Sequence, residues 1–389
     1  MTIGTYRLKI EKRLTLTPWE AAAISVLAII FALALFSLVF ILAGINPLSA
    51  YRQVFLYAFA NPNGLPLTSY RFIFLLLCTF AFIIPFRAGL WNIGMTGQLY
   101  VGAVSAFLVP LAFGLKDYTV VPPSPAIVIL LMMLAAAVGG ALVGGIAGFL
   151  KGKLDVNEIV VTMMLNFMAY WFVSLMIKEG GLLMSPGGEG QGFKLPPTLY
   201  GPLIRNVPFT LFLAMALAGL LQWMFTKTVI GYQIKAHGYN PLAAKYAGIS
   251  TVRISLLVFL MGGAMAGLAG YHYFAAIPGL YRISSDYGYF GDLAFYGIIC
   301  GLISTGDPLA AIPVTLLFAG LSVGGRYVQG RLHMGFGVDY ALLGVLMIAL
   351  VAFQFFYRYK FVLRPTERPP RAAQAQTTKE ERLDAVHHP

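Results

Sequence analysis

Three stretches of the chain carry polar side chains inside apolar surroundings, and these are where chemistry is available. The first is GLWNIGMTGQLYVGA, residues 89–103. Asn92, Thr96 and Gln98 interrupt it, together with Gly89, Gly94, Gly97 and Gly102. An amide in an apolar setting is costly unless it is paired, so such groups face a bundle interior or a water-filled path. Glycines let a helix break and present backbone groups at that path. Two roles stay open for Asn92 and Gln98: hydrogen-bonding helices together, or lining a route for a polar solute. Trp91 equally suits an interfacial anchor. The second stretch is VNEIVVTMMLNFMAYW, residues 156–171. Thr162, Asn166 and Tyr170 follow one another at helical-turn spacing and share a face. That polar stripe either lines a path for a polyhydroxylated solute or bonds to a neighbouring helix. Glu158, near one end, is expected to be solvated or paired with Lys151 or Lys153.

The third stretch, GYQIKAHGYNPLAAKYAGIS at 231–250, lies in a basic loop. Asn240 suits an N-cap, Pro241 the first helical position and Gly248 the residue just past the end. These bracket a helix of about two turns. Leu242, Tyr246 and Ile249 fall on one of its faces. Such a helix either lies flat on a membrane surface or docks into another protein. Its defined caps and small alanines favour docking.

Other chemistry is missing. No HExxH, GxSxG or paired carboxylates stand out in an apolar run. AGFLKGKL at 147–154 contains Gly152 and Lys153 but lacks a leading glycine and the Ser or Thr that would hold Mg²⁺. ATP binding by this chain is therefore not expected, nor is a bound cofactor or metal. Cys78 and Cys300, the only cysteines, sit in apolar runs and read as packing residues. His387 and His388 lack a third ligand.

The elements that must position these groups are membrane spans. The chain has 389 residues, 59% hydrophobic and 11% charged, with a mean hydropathy of +0.78. A soluble domain carries about 25% charged residues. The apolar runs predict an all-α polytopic membrane protein of ten helices, near 20–44, 70–86, 90–113, 125–150, 157–177, 208–226, 254–276, 291–304, 308–324 and 339–357. The eighth and ninth are short enough for a re-entrant pair. The first is too long for a signal-peptide core and reads as an uncleaved span. With both termini in the cytoplasm, 18 of the 27 Lys and Arg residues fall on that side, as the positive-inside rule requires. This gives a cytoplasmic N-terminal segment (1–19), a transmembrane domain (20–357) containing the cytoplasmic loop 227–253, and a tail (358–389) expected to be disordered. The net charge of +12 thus reads as topology rather than nucleic-acid binding. Residues 45–69 and 180–207 are expected to be ordered outer loops. Gly140, Gly144 and Gly148 form a small-residue stripe, as do Gly263 with Gly267 and Gly297 with Gly301.

At the 231–250 loop the chain resembles the permeases of prokaryotic ABC importers. It is similar to the ribose and branched-chain amino-acid branch, and within that to the nucleoside permeases that work with basic-membrane-protein-type binding lipoproteins. Gly238, Asn240, Ala243, Ala244, Ala247, Gly248 and Ile249 match the branch's coupling-helix pattern. LWNIGMTGQ and NEIVVTMMLNFMAYW match two further segments, and the similarity runs from about residue 20 to 357. The chain departs from the family at GYFGDLAFYGIICG, with Asp292, Phe295 and Tyr296 where small residues are usual. Asp292 is expected either to face the solute or to pair with an outer arginine such as Arg282.

The resemblance implies a permease subunit of an ATP-driven importer in a prokaryotic plasma membrane. It carries a small polar solute, in the first place a nucleoside, with simple sugars and branched-chain amino acids as alternatives. The implied partners are an ATPase that binds ATP and Mg²⁺, a second permease and an extracytoplasmic solute-binding protein. Gly238, Asn240, Pro241, Ala243, Ala244, Lys245 and Gly248 would couple to the ATPase. A bulky charge at Gly238 or Ala244 is expected to block docking while leaving the chain inserted. A rival class, an ion-driven transporter, would bury ionisable residues along a relay, and the spans hold few.

Overall fold

The computed structural model describes residues 2–3, 6–12, 18–116, 124–178, 180–185, 188–204, 207–284, 287–335 and 337–365. The chain opens with β1 (Thr2–Ile3) and β2 (Tyr6–Lys12), then α1 (Pro18–Leu42), α2 (Pro47–Phe59), α3 (Gly64–Arg87) and α4 (Met95–Ala112). There follow α5 (Pro125–Leu154), α6 (Glu158–Ile177), the hairpins β3 (Met184–Ser185) with β4 (Gly188–Gly192) and β5 (Leu203–Ile204) with β6 (Val207–Pro208), and α7 (Thr210–Lys227). The rest comprises α8 (Val229–Tyr239), α9 (Pro241–Tyr246), α10 (Thr251–Tyr271) with a π turn (His272–Ala276), α11 (Tyr287–Ile303), α12 (Ala311–Arg331), α13 (Val338–Arg358) and β7 (Tyr359–Pro365). The protein is an all-α polytopic membrane protein with little sheet. Among the described residues, eight helices are long and apolar enough to cross a membrane, and Leu293–Ile303 and Val338–Phe353 are shorter apolar runs. Cys78 and Cys300 are both buried.

Two compact units divide the chain, Met1–Ala32 with Ile348–Pro389, and Leu33–Met347. In the first unit β2 pairs antiparallel with β7, from Tyr6 opposite Pro365 to Lys12 opposite Tyr359. The strand that precedes α1 and the strand that follows α13 are therefore neighbours. This corrects the expected boundary of the disordered tail, because Tyr359–Pro365 is a paired strand. The tail beyond Pro365, including His387 and His388, lies outside the described residues.

The second unit departs from the sequence expectation at two places. Residues 45–69 are not a loop. Asn46 accepts hydrogen bonds from the backbone N–H groups of Leu48 and Ser49, with Pro47 at the first helical position, and so starts α2. Ala50, Val54 and Ala58 recur every four residues and are buried. A tight turn leads directly into α3, where a Cβ on Gly64 would stand 1.9 Å from the Tyr57 carbonyl oxygen. The second departure is the ninth span. It is not a short re-entrant limb, because α12 runs for 21 residues and Arg331 closes it.

α3 is the buried centre of this unit, with Phe72 to Pro85 shielded throughout. Around it the packing depends on the glycine stripes. Lipid gives apolar side chains no reason to leave it, so helices associate where small residues let backbones approach. A Cβ on Gly140 would lie 2.2 Å from the Gly263 carbonyl oxygen, one on Gly144 2.2 Å from that of Phe259, and one on Gly267 2.0 Å from that of Ala136. α5 and α10 thus meet backbone to backbone. Gly297 and Gly301 bring α11 against Cys78 and Phe82 of α3 in the same way.

Candidate functional site

Between Arg87 and Met95 the chain leaves helical geometry inside the bundle. Gly89, at φ +77°, ends α3, with its N–H bonded to Phe86 and that of Leu90 to Pro85. The buried loop that follows needs partners for its backbone groups. Asn92 supplies one of them and is held in place by Gln98 as a reciprocal amide pair. Asn92 Nδ2 donates to Gln98 Oε1 at 2.9 Å, and Gln98 Nε2 donates to Asn92 Oδ1 at 3.0 Å. Asn92 also donates to the Ala81 carbonyl and accepts from the Gly94 N–H. Both side chains are fully buried. In this conformation their polar groups are committed to each other and to the loop.

Asn166 on α6 performs the matching task at the start of α4. The residue before that helix, Gly94, has no side chain to cap it. Asn166 Oδ1 instead accepts the N–H of Gly97 at 2.8 Å, and its Nδ2 donates to the Ile93 carbonyl at 3.1 Å. The amide thus caps a neighbouring helix from outside it. Thr162, one turn earlier, is buried and donates to the Glu158 and Ile159 carbonyls of its own helix. Tyr170 is half-buried and packs edge-on against Trp171. Asn166→Ala is expected to destabilise the protein by about 1–2 kcal/mol, the usual cost of a lost helix cap. Asn166→Asp, which keeps the acceptor for Gly97 but sets a carboxylate oxygen against the Ile93 carbonyl, should lose at least as much. Thermal unfolding of the two variants in detergent distinguishes this from a role in solute contact alone, which predicts unchanged midpoints.

Glu158 is paired, its carboxylate 3.3 Å from Lys151 Nζ, and the same ammonium reaches Asp155 at 2.9 Å. The hydrogen bond from Lys151 holds the Asp155 carboxyl below its ordinary range. That contribution is in place at neutral pH and is lost as the pH falls through the lowered value.

The basic loop holds the expected capped helix. Asn240 accepts the N–H of Ala243 at 3.0 Å, and Pro241 occupies the first helical position. At the other end Gly248 adopts φ +83°, its N–H bonded to Lys245 and that of Ile249 to Ala244. This is a Schellman termination, with both ends of α9 satisfied locally. Pro241, Ala243, Lys245 and Gly248 are exposed. Two of the residues singled out are not free surface. Ala244 is 4% exposed, and a Cβ on Gly238 would stand 2.2 Å from the Arg87 carbonyl oxygen. A bulky charge at either position would disturb the fold first, which corrects the expectation that such variants insert normally. Tyr239, Leu242 and Tyr246 are instead 80%, 70% and 92% exposed. The helical face through Leu242 and Tyr246 was legible in the sequence; Tyr239, one residue before the cap, was not.

Among the contacts of the loop with the bundle, one meets the α3–α4 turn. His237 is buried, and its Nδ1 lies 2.8 Å from the Ala88 carbonyl oxygen, which can only accept, so Nδ1 carries the hydrogen. Gly238 packs on Arg87 and Gly89. Beside this contact Arg87 donates to Gly306 at 2.7 Å and lies 3.5 Å from Asp307, while Gln222 donates to Asp307 from α7. Movement of α8 and α9 would therefore reach the α3–α4 turn through His237 and Gly238, and α4 through Asn92 and Gln98.

At the opposite end of α3 lies a cavity of about 360 Å³ that sequence reading did not anticipate. Tyr57, Tyr70, Arg71, Phe74, Tyr273, Arg326 and Tyr327 contribute to its walls. They come from α2, α3, the π turn and α12, and no single segment carries the pattern. The rings of Tyr57 and Tyr327 stack 3.7 Å apart, and Phe74 meets Tyr273 edge-on. The π turn, a device common at functional sites, carries Tyr273 and is fixed by its neighbour His272. His272 Nε2 donates to the Tyr70 carbonyl, so Nδ1 accepts the Thr210 hydroxyl at 2.8 Å. Above it, residues 191–201 bond to the segment after α10 through Gly192 to Ile283, Leu195 to Tyr281 and Gly201 to Ala275. Arg282 bonds to Gln191. Asp292 falls on α11, and its side chain lies outside what the structure describes. Among the described residues no three His, Cys, Asp or Glu side chains gather as for a metal ion.

Comparison with known proteins agrees with this architecture. Residues 64–351 match the family described as the permease component of the branched-chain amino acid transport system. A glucose ABC transporter permease of Haloferax volcanii is 32% identical over 91% of this chain and 93% of its own length. A nucleoside ABC transporter permease of Lactococcus lactis is 28% identical over 92% of this chain and 97% of its own. A guanosine ABC transporter permease of Bacillus subtilis is 26% identical over 77% and 84% respectively. No solved structure matches. With the family pattern spanning most of the membrane helices and relatives aligned nearly end to end, the chain belongs to the branched-chain amino-acid type of ABC transporter permeases.

Proposed function

We propose that this permease imports a nucleoside, together with a second permease, an ATPase and an extracytoplasmic solute-binding protein, in a prokaryotic plasma membrane. The observation that carries the coupling is α9, a short helix with both ends capped that holds Leu242 and Tyr246 out into solvent. Large apolar side chains so exposed on a rigid element are suited to a protein groove. The charge distribution supports a cytoplasmic position for α9, where an ATPase would meet it. ATP and Mg²⁺ belong to that ATPase, whose closure would push on α9. Through His237 and Gly238 the push reaches the Arg87–Gly94 turn, and a packed bundle answers by switching between discrete arrangements. The solute pathway would run past α6, where Thr162, Asn166 and Tyr170 lie. Asn92 and Gln98 would serve it by holding the turn. The tied outer loops offer the binding protein a firm surface.

The nucleoside reading is supported by the named activities of the lactococcal and Bacillus relatives and by the aromatic outer cavity. A simple sugar is the second reading, favoured by the haloarchaeal relative named as a glucose permease. Labelled uptake by cells expressing the four-component system separates them. Nucleosides are expected to be taken up and to compete with one another, with glucose without effect. Glucose uptake insensitive to nucleosides would replace the first reading by the second.

A further inference from the structure

We propose that the cavity at the outer end of α3 is a solute subsite that takes a planar ring bearing two adjacent hydrogen-bond acceptors, read by Arg71. The proposal rests on the importer reading only for which face the solute approaches. By the alternation of spans, Gly64 of α3 and Arg331 of α12 lie on the outer face, where solute would arrive.

Its volume of about 360 Å³ falls in the range of small-molecule pockets. Tyr57, Tyr70, Tyr273 and Tyr327 give it aromatic walls, which favour flat rings. The charges are unequal. Arg326 is engaged by Asp339 at 3.4 Å, a carboxylate only 5% exposed, and by the Tyr340 hydroxyl. Arg71 lines the same cavity within the field of Asp339, Tyr273 and Tyr340, but makes no hydrogen bond or ion pair among the described residues. A guanidinium held among tyrosine rings with no acceptor in hydrogen-bond reach is costly, so the cavity is one pair of acceptors short of complete, and the fork is Arg71. That fork matches two acceptors in one plane, as carried by the O6 and N7 edge of a 6-oxopurine. Adenine offers a donor at the first of these positions, and a sugar offers no planar acceptor pair. The subsite therefore favours guanosine and inosine over adenosine, and either over glucose.

The test reads Arg71 directly in the unmodified protein. The purified full chain in phosphatidylcholine nanodiscs, where no anionic lipid competes, is treated with the arginine reagent phenylglyoxal. Modification of Arg71 and of the exposed Arg52 is followed by peptide mass spectrometry. Guanosine or inosine is expected to slow modification of Arg71 relative to Arg52 by about fivefold or more, with adenosine and glucose well behind. Equal protection by all four, protection by glucose alone, or none would overturn the proposal. Nucleoside uptake by the assembled importer is measured separately. Uptake without protection of Arg71 overturns the subsite and leaves the importer reading intact. Protection without ATP-driven uptake leaves the subsite standing and overturns the importer reading.

Discussion

Gly267→Leu is expected to yield little or no folded protein. The position has no room for even one more carbon, since a Cβ there would lie 2.0 Å from the Ala136 carbonyl oxygen and 2.8 Å from its carbon. Both are backbone atoms of α5, so relief requires the two helices to part. Parting them would break the neighbouring contacts of Gly140 with Gly263 and of Gly144 with Phe259. Overpacking a core costs about 1–3 kcal/mol and sometimes more. A side chain driven into backbone belongs at the upper end, against a total stability of about 5–15 kcal/mol. Gly219→Leu is the control. Gly219 lies on α7 with nothing within 4 Å of its built Cβ, and replacing a helical glycine there should be neutral or slightly stabilising. Size-exclusion profile and melting midpoint in detergent read both variants. A Gly267→Leu protein that is monodisperse and melts with the wild type would show that α5 and α10 do not pack this way.

Leu242→Asp combined with Tyr246→Asp is expected to produce the opposite phenotype, a well-folded permease that no longer holds its ATPase. The two side chains are 70% and 92% exposed, and α9 is closed by its own caps, so the bundle loses nothing when they change. Anchors at protein interfaces cost about 2 kcal/mol or more when truncated, which is upwards of tenfold in affinity. A buried charge in the partner's groove adds to that. Co-purification of the ATPase should therefore fall by at least about tenfold, and uptake with it, while yield and melting midpoint stay at wild-type values. Gly238→Asp and Ala244→Asp should instead lower the midpoint, because one meets the Arg87 backbone and the other is buried. Retention of the ATPase by the double variant would remove α9 from the coupling mechanism.

Local signals were legible in the sequence and long-range ones were not. The caps of α9 are set by Asn240, Pro241 and Gly248, three residues whose backbone preferences act within a few positions. The glycine stripes marked faces of close helix packing, because lipid leaves little else to hold helices together, but not that the stripes of α5 and α10 meet each other. The polar residues of the turn were found, but their partners were not, since Asn92 with Gln98 and Asn166 with Gly97 bond across a break whose shape depends on the fold. α2 was missed because its polar residues and the NPNG turn resemble a loop, and its apolar face is narrow. The outer cavity was invisible for a different reason. Arg71 reads as a charge flanking a span, and only the assembled bundle places it beside Tyr273 and Tyr327.

The energy source tests the central claim most directly. Right-side-out membrane vesicles carrying the complete system are loaded with ATP or left without it, and labelled nucleoside uptake is followed with and without an uncoupler. Uptake that requires internal ATP and survives the uncoupler is the predicted result. Uptake that persists without ATP and collapses when the ion gradient is dissipated would contradict an ATP-driven permease.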